Sequence, residues 1–62
     1  MKLYNVPNNT MIYIKDDVER KKYLFHHLDG MYSYCTNDKG NVVHLQAWLD
    51  VEIFKPEDEI YY

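Results

Sequence analysis

Residues 23–48 read YLFHHLDGMYSYCTNDKGNVVHLQAW, and this stretch decides the fold. Two runs rich in aromatic residues are joined at Asp29-Gly30, where glycine supplies the positive φ that a tight hairpin turn requires. A second turn, NDKGN at residues 37–41, leads into a third run in which apolar and polar residues alternate. The stretch therefore predicts antiparallel strands connected by tight turns. It also contains all three histidines, the single cysteine and the single tryptophan, so we expect any chemistry of the protein to involve it.

On either side of this stretch, β-branched and aromatic runs separated by turn residues predict an all-β chain. Five antiparallel strands are expected, at residues 10–15, 22–28, 31–36, 42–47 and 51–54. A single 3₁₀ turn is expected across 47–50, and a short edge strand at 1–4. The charged residues 16–22 predict a solvated loop, because Val18 is the only apolar side chain that a helix there would bury. Residues 55–59, KPEDE, predict an acidic C-terminal tail, since proline ends strand pairing.

Strict alternation along these strands assigns neighbouring side chains to opposite faces of the sheet. In the second strand, His26 and His27 are therefore expected to point in opposite directions. In the third strand, Tyr32 and Tyr34 are expected to share one face, with Cys35 on the other. Which face of each strand is buried stays open at this level.

Length, charge and cysteine usage limit the class of protein. Residues 1–62 form a single domain with a thin margin of stability, since so short a chain buries only about 60% of its unfolded surface. A net charge of −3, from ten acidic and seven basic residues, argues against a protein that binds nucleic-acid phosphates, whose affinity comes mainly from Lys and Arg. Cys35 excludes an internal disulfide, and its free thiol fits a reducing compartment. With no run near the ~20 apolar residues of a membrane span and no signal-peptide core, we expect a soluble cytoplasmic protein.

The histidines and the cysteine are the candidates for metal binding or catalysis. Zinc needs three or four nitrogen or sulfur ligands at short range, and His26, His27, Cys35 and His44 form no CxxC, HxH or HExxH motif. A nucleophile and its base need a cleft and an orienting third group, for which a domain of this size has little room. There is no nucleophile elbow and no glycine-rich phosphate loop. We therefore expect no metal, no cofactor and no enzyme activity, with Cys35 packing as a small apolar side chain.

The surplus aromatic residues are the best candidates for a binding site. On one strand face, Tyr32 and Tyr34 would form an aromatic ladder, and Trp48 would close one side of it. His26 and His44 would add hydrogen bonds to a ligand. The alternative is that this face is the core, with Trp48 as its lid. Tyrosine suits both roles, because it joins an apolar ring to a polar tip.

The five short strands with a 3₁₀ step before the last resemble a small SH3-like barrel, which implies a closed five-stranded antiparallel fold. The ALYDY-type run and the tryptophan pair of SH3 signalling domains are absent, so no function is carried over from so common a scaffold. The run FHHLDGMYSYC followed by GNVVHLQAW, within residues 25–48, resembles small accessory proteins encoded by tailed bacteriophages. Some proteins of that kind block host defence by binding a host protein or by sequestering a signal nucleotide. The resemblance implies a viral protein that acts in the host cytoplasm.

The leading hypothesis is a non-catalytic binding module that occupies a host protein, as an inhibitor or an adaptor. Pairing of exposed strand edges would favour a homo-oligomer. One alternative is an oligomeric sponge for a nucleotide signal, in which tyrosines stack on the base and basic residues hold the phosphates, namely Lys15, Arg20, Lys21, Lys22 and Lys39. Another is a small nucleic-acid-binding β-barrel, which the acidic charge balance opposes.

Overall fold

The computed structural model describes residues 1–54, which form one antiparallel sheet and a short 3₁₀ helix. The 3₁₀ helix is Leu3–Asn5, and the strands are β1 Thr10–Ile14, β2 Tyr23–Asp29, β3 Tyr32–Asn37, β4 Val42–Val43 and β5 Val51–Ile53. Their order across the sheet is β4-β3-β2-β1-β5. The prediction of an all-β chain with five antiparallel strands is confirmed. The predicted acidic tail lies outside the described residues.

The hairpin between β2 and β3 has a two-residue loop. Asp29 pairs with Tyr32, so Gly30 and Met31 form the loop, and Gly30 has a φ of +64°. A glycine with positive φ at the first loop position is what a type II′ turn requires, and this turn matches the right-handed twist of the strands. The turn therefore fixes the register from which the pairing of β2 and β3 is counted.

The turn between β3 and β4 is organised by Asn37. Its side-chain Oδ1 accepts hydrogen bonds from the backbone N–H groups of Lys39, at 2.9 Å, and Asn41, at 3.0 Å. Gly40 has a φ of +81°, a conformation that glycine adopts without strain, so the predicted turn is confirmed.

β2 contains a β-bulge at His26. Phe25 pairs with Cys35 and His27 with Tyr34, which leaves His26 without a residue opposite it. Regular pairing counted back from the turn would put His26 opposite Cys35, on the core face, and would turn Phe25 to the other face. Because the bulge adds one residue to β2, Phe25 can face the core while the pairing next to the turn is kept. The prediction that His26 and His27 point in opposite directions is therefore wrong.

The core lies on one face of the sheet and is covered by the N-terminal segment. Its fully or nearly fully buried side chains are Leu3, Val6, Ile12, Phe25, Cys35 and Val51. The predicted edge strand at 1–4 is wrong, because the chain turns into the 3₁₀ helix and directs Leu3 into this core. Only Lys2 forms an isolated bridge, with Asp50.

β4 is much shorter than predicted. The strand expected over 42–47 ends at Val43, and its continuation meets β3 again only through an isolated bridge between Tyr32 and Gln46. Between these points one backbone hydrogen bond remains, from the Ser33 N–H to the Leu45 carbonyl at 2.8 Å. The second is replaced by the buried hydroxyl of Ser33, which accepts from the Leu45 N–H at 3.1 Å and also donates to the Leu45 carbonyl at 2.9 Å. Within residues 1–54, β4 and β5 are the two edges of the sheet and do not pair with each other, so the sheet is not closed.

The N-terminal segment protects the free edge of β5. The Val51 N–H donates to the Met1 carbonyl at 2.8 Å, and the Lys2 ammonium pairs with Asp50 at 3.1 Å. Because these groups occupy the outer edge of β5, that edge is less available for pairing with another chain than the sequence indicated.

The charged segment between β1 and β2 is a solvated loop, as predicted. Asp17 closes it by accepting hydrogen bonds from the N–H groups of Glu19, at 3.0 Å, and Lys21, at 3.2 Å. Val18 is 95% exposed. Across residues 1–54, no helix has the length and apolar character needed to cross a bilayer.

Candidate functional site

The face of the sheet opposite the core, here called the outer face, carries an unusual group of rings. All three histidines of the chain surround one tyrosine on strands β2 and β3 and on the segment after β4. We call this group the His–Tyr cluster; its members are His26, His27, Tyr34 and His44.

Tyr34 is the centre of the cluster. The ring of His27 stacks on it, with ring centroids 5.5 Å apart and planes 8° from parallel. His26 meets it edge-on at 5.4 Å and 71°, and His44 edge-on at 6.0 Å and 76°. Offset-stacked and edge-on contacts of this kind are each worth about 0.5–1.5 kcal/mol beyond the area they bury. The tyrosine is half-buried by its neighbours, while His27 and His44 are exposed.

The bulge is what brings two consecutive histidines to the same tyrosine. In a regular strand one of them would face the core. Because two residues of β2 oppose the single residue Tyr34 of β3, both imidazoles reach its ring. Bulges commonly redirect a side chain next to a functional site, which makes this position a candidate site.

Hydrogen bonds orient two of the imidazoles. Nδ1 of His44 lies 3.0 Å from the Ser33 carbonyl, and since a carbonyl only accepts, Nδ1 carries the proton and donates it. In the neutral ring Nε2 is then an acceptor. Nε2 of His26 lies 3.4 Å from the Thr36 hydroxyl, a long contact. His27 is positioned by its stacking on Tyr34.

The structure brings together some of the residues that the sequence singled out. Tyr34, His26 and His44 are in contact through their rings. Tyr32 shares their face of β3 and is 50% exposed. Trp48 is 43% exposed in the turn between Gln46 and Leu49, and no ring contact within residues 1–54 joins it to either tyrosine.

His27 is the cluster residue that sequence reasoning missed. The signal that identifies it is the number of β2 residues between Phe25 and the Gly30 turn. With Gly30 at the first loop position and Cys35 on the core face, Phe25 reaches the core only if one extra residue stands between it and the turn. Either of the two histidines can be that residue, and each choice leaves the other facing Tyr34.

A row of three apolar side chains and one threonine borders the cluster on the outer face. Met11 of β1 pairs with Leu24 of β2, Leu24 with Thr36 of β3, and Thr36 with Val42 of β4. Met11 and Val42 are exposed, and the other two are half-buried. The outer face therefore joins exposed apolar atoms to exposed aromatic and imidazole rings.

Cations and aromatic rings meet at the β1 side of the protein. The rings of Tyr13 and Phe54 meet edge-on, with centroids 6.4 Å apart. The Lys22 ammonium lies 4.5 Å from the Phe54 centroid, and the Arg20 guanidinium 5.5 Å from that of Tyr13. Both distances are within the range of a cation–π contact.

The cluster offers rings and hydrogen-bonding nitrogens. Among the residues that the structure describes, no group of three or more His, Cys, Asp or Glu side chains is placed to hold a metal ion. Cys35 lies on the core side, 3.2 Å from the Ser33 hydroxyl, and burial raises the pKa of its thiol. The thiol is therefore held in its protonated, weakly nucleophilic form.

Comparison of the chain with protein-family models, with curated proteins and with solved structures finds no match in any of the three.

Proposed function

We propose that this protein is a non-catalytic binding module whose outer face, centred on the His–Tyr cluster, occupies a partner protein. The observation that carries the proposal is the position of the three histidines, which the β-bulge gathers around Tyr34 on the face opposite the core. Protein interfaces are enriched in tyrosine and other large rings, because such rings bury much area at little cost in side-chain entropy.

The apolar row beside the cluster supports the same surface. Met11 and Val42 expose apolar atoms on the outer face, and neither is covered by the N-terminal segment that shields the opposite face. An exposed apolar patch with polar groups at its border is characteristic of surfaces that bind other proteins. The imidazoles add directional hydrogen bonds, which give such a surface specificity.

The resemblance to small phage accessory proteins supports a host protein as the partner and the host cytoplasm as the place of action. In that role the protein is an inhibitor or an adaptor. The short edge strand β4 offers a place for self-association, so a homo-oligomer is part of the proposal.

We also propose that the architecture is that of a small SH3-like barrel. Hydrogen bonds of the N-terminal segment support it. The Leu3 N–H donates to the Leu49 carbonyl and the Tyr4 N–H to the Ala47 carbonyl, each at 2.9 Å. Residues 1–4 thus connect β5 with the segment that joins β4 to β5. Amide hydrogen exchange tests this: in a barrel the Leu3 and Tyr4 amides exchange as slowly as those of β1, whereas rapid exchange would contradict it.

The binding proposal is tested by retention of a partner from host lysate on immobilised protein. We expect stoichiometric retention by the wild type and by a control variant, Val18→Ser, which changes an exposed apolar residue away from the outer face. His27→Ala and Val42→Ser should each weaken binding at least about fivefold, since central interface residues are worth about 1–2 kcal/mol or more. Circular dichroism should show that all variants fold. Absence of a stoichiometric partner, or equal retention by all variants, would contradict the proposal.

A further inference from the structure

A second feature of the surface lies at the opposite end of the β2–β3 hairpin from the Gly30 turn. It is a groove of about 360 Å³, here called the lysine groove. The residues lining it are Lys21, Lys22, Tyr23, Asn37, Asp38, Lys39 and Asn41. It shares no residue with the His–Tyr cluster. Along β2, Tyr23 and His27 are four residues apart, about 13 Å at the rise of a strand.

The charge of the groove is opposite to that of the chain. The chain has a net charge of −3 and seven basic residues, three of which line this one groove. Within residues 1–54, Asp38 is the only carboxylate that lines the groove. A concave site lined by several basic residues attracts anions more strongly than the same charges spread over a surface.

The three ammonium groups differ in their surroundings. Lys21 pairs with Glu19 at 3.4 Å, and this pairing, with the nearby Asp17, raises the pKa of Lys21 and keeps it charged. Lys22 lies over the Phe54 ring. For Lys39, no ion pair with a carboxylate is present among residues 1–54. An anion in the groove therefore meets one ammonium group that no described carboxylate neutralises.

The amide groups of the groove complement the lysines. Oδ1 of Asn37 is engaged by the N–H groups of Lys39 and Asn41, so the Asn37 side chain has only its NH₂ donors to offer a ligand. Those donors suit an anion, which only accepts hydrogen bonds. Tyr23, which is half-buried against the core, also lines the groove.

We propose that the lysine groove binds a small ligand bearing two or more linked phosphates. Lysine ammonium groups bind phosphate as compact point charges, and a volume of about 360 Å³ is in the range of small-molecule sites. A small ligand fits better than a nucleic acid, because an extended phosphate backbone would also meet the acidic remainder of the chain. The site is independent of the proposed protein-binding face.

The test is calorimetric titration of the whole chain with inorganic pyrophosphate and, separately, with ADP. We expect saturable binding that weakens with salt, accompanied by NMR shifts of the Asn37 and Asn41 amides. Lys39→Gln should weaken binding about fivefold, the effect of one exposed charge contact. Lys15→Gln is the matched control, since it removes the same charge from a lysine outside the groove. Tighter binding of ADP than of pyrophosphate would indicate that the nucleoside also contacts the groove, beside Tyr23. Equal affinity would indicate that the groove contacts the phosphates alone. Both results support the site.

Three results would overturn the inference. The first is no saturable binding of either probe at low salt. The second is equal weakening by Lys39→Gln and Lys15→Gln, which would mean diffuse attraction without a site. The third is tighter binding of a single-stranded oligonucleotide than of ADP, which would assign the groove to nucleic acid. Because His27→Ala and Val42→Ser leave the groove untouched, failure here is distinguishable from failure of the protein-binding proposal.

Discussion

Deletion of His26 should leave the fold intact, whereas deletion of Leu24 from the same strand should abolish it. The bulge is the reason for the difference. Without His26, Phe25 still pairs with Cys35 and His27 with Tyr34, and the ladder between β2 and β3 becomes regular. A deletion in the middle of a strand normally shifts the residues on one side of the deletion by one position, which turns their side chains to the opposite face of the sheet. Tolerance of a deletion at His26 is therefore a specific consequence of the bulge.

The cost of deleting His26 follows from its contacts. The deletion removes one edge-on ring contact with Tyr34, about 0.5–1.5 kcal/mol, and one long hydrogen bond with Thr36, about 0.5 kcal/mol. We expect the free energy of unfolding to fall by about 1–2 kcal/mol. A domain of this length has about 3–9 kcal/mol in total, so the variant should fold.

The cost of deleting Leu24 is larger because the register changes. Tyr23 would move to the outer position opposite Thr36, leave the core, and lose its pairing with the buried Ile12. Full burial of an apolar side chain of this size is worth about 2 kcal/mol. Since Ile12 is fully buried and Tyr23 is half-buried, exposure of both costs about 3 kcal/mol before the hydrogen bonds are counted. Together with the broken hydrogen bonds, that loss reaches the range of about 3–9 kcal/mol expected for the whole domain, so the variant should be largely unfolded.

Urea unfolding followed by Trp48 fluorescence and circular dichroism measures both variants. Equal destabilisation by the two deletions, or an unchanged unfolding midpoint after loss of Leu24, would refute the role assigned to the bulge.

Three further predictions concern single groups. Ser33→Ala should lower the free energy of unfolding by about 2 kcal/mol in urea, because the Leu45 N–H loses its acceptor; a loss below about 0.5 kcal/mol would contradict this. Because burial raises the pKa of the Cys35 thiol, the unfolded state deprotonates first, and stability should fall as the pH rises from the ordinary thiol pKa to the raised one; an unchanged alkaline limb in Cys35→Ala would count against it. A hydrogen bond from Lys2 and its charge lower the pKa of Asp50, so the contribution of this pair to stability is complete above the ordinary pKa of aspartate. That contribution is lost as the pH falls through the lowered pKa. Lys2→Gln should raise the pKa of Asp50 in an NMR titration, and an unchanged pKa would exclude the pairing.

The strands and turns were predictable because their signals are local. Gly30 and Gly40 both have the positive φ that the turn motifs required, and the β-branched and aromatic runs became strands. The charged loop was predictable for the same reason, since Val18 offers a helix nothing to bury. Such signals depend on a few neighbouring residues and are not overridden here by distant contacts.

The bulge and the short β4 depend on distant residues. His26 is extra only because the Gly30 turn and the burial of Phe25 impose opposite registers on one strand. β4 ends early because the hydroxyl of Ser33, on the neighbouring strand, accepts the Leu45 N–H hydrogen bond that a backbone carbonyl would accept in a regular ladder. Neither feature can be predicted from the alternation of apolar and polar residues in β2 or β4 alone.

The N-terminal segment and Trp48 show the same limit for the candidate site. The local sequence around Leu3 predicts an apolar edge strand. In the structure Leu3 belongs to the 3₁₀ helix, which packs on the apolar face of the sheet and shields it from solvent. The sequence predicts that Trp48 lies beside the tyrosine ladder. In the structure Trp48 lies in the turn from Gln46 to Leu49, and within residues 1–54 its ring contacts neither Tyr32 nor Tyr34.

The central claim is that one β-bulge gathers all three histidines around Tyr34. The most direct measurement is the set of nuclear Overhauser contacts from the Tyr34 ring protons. We predict contacts to the ring protons of His26, His27 and His44, whose ring centroids lie 5.4, 5.5 and 6.0 Å away. Contacts to only one of the two consecutive histidines, with the other showing contacts to Ile12 in the core, would contradict the account.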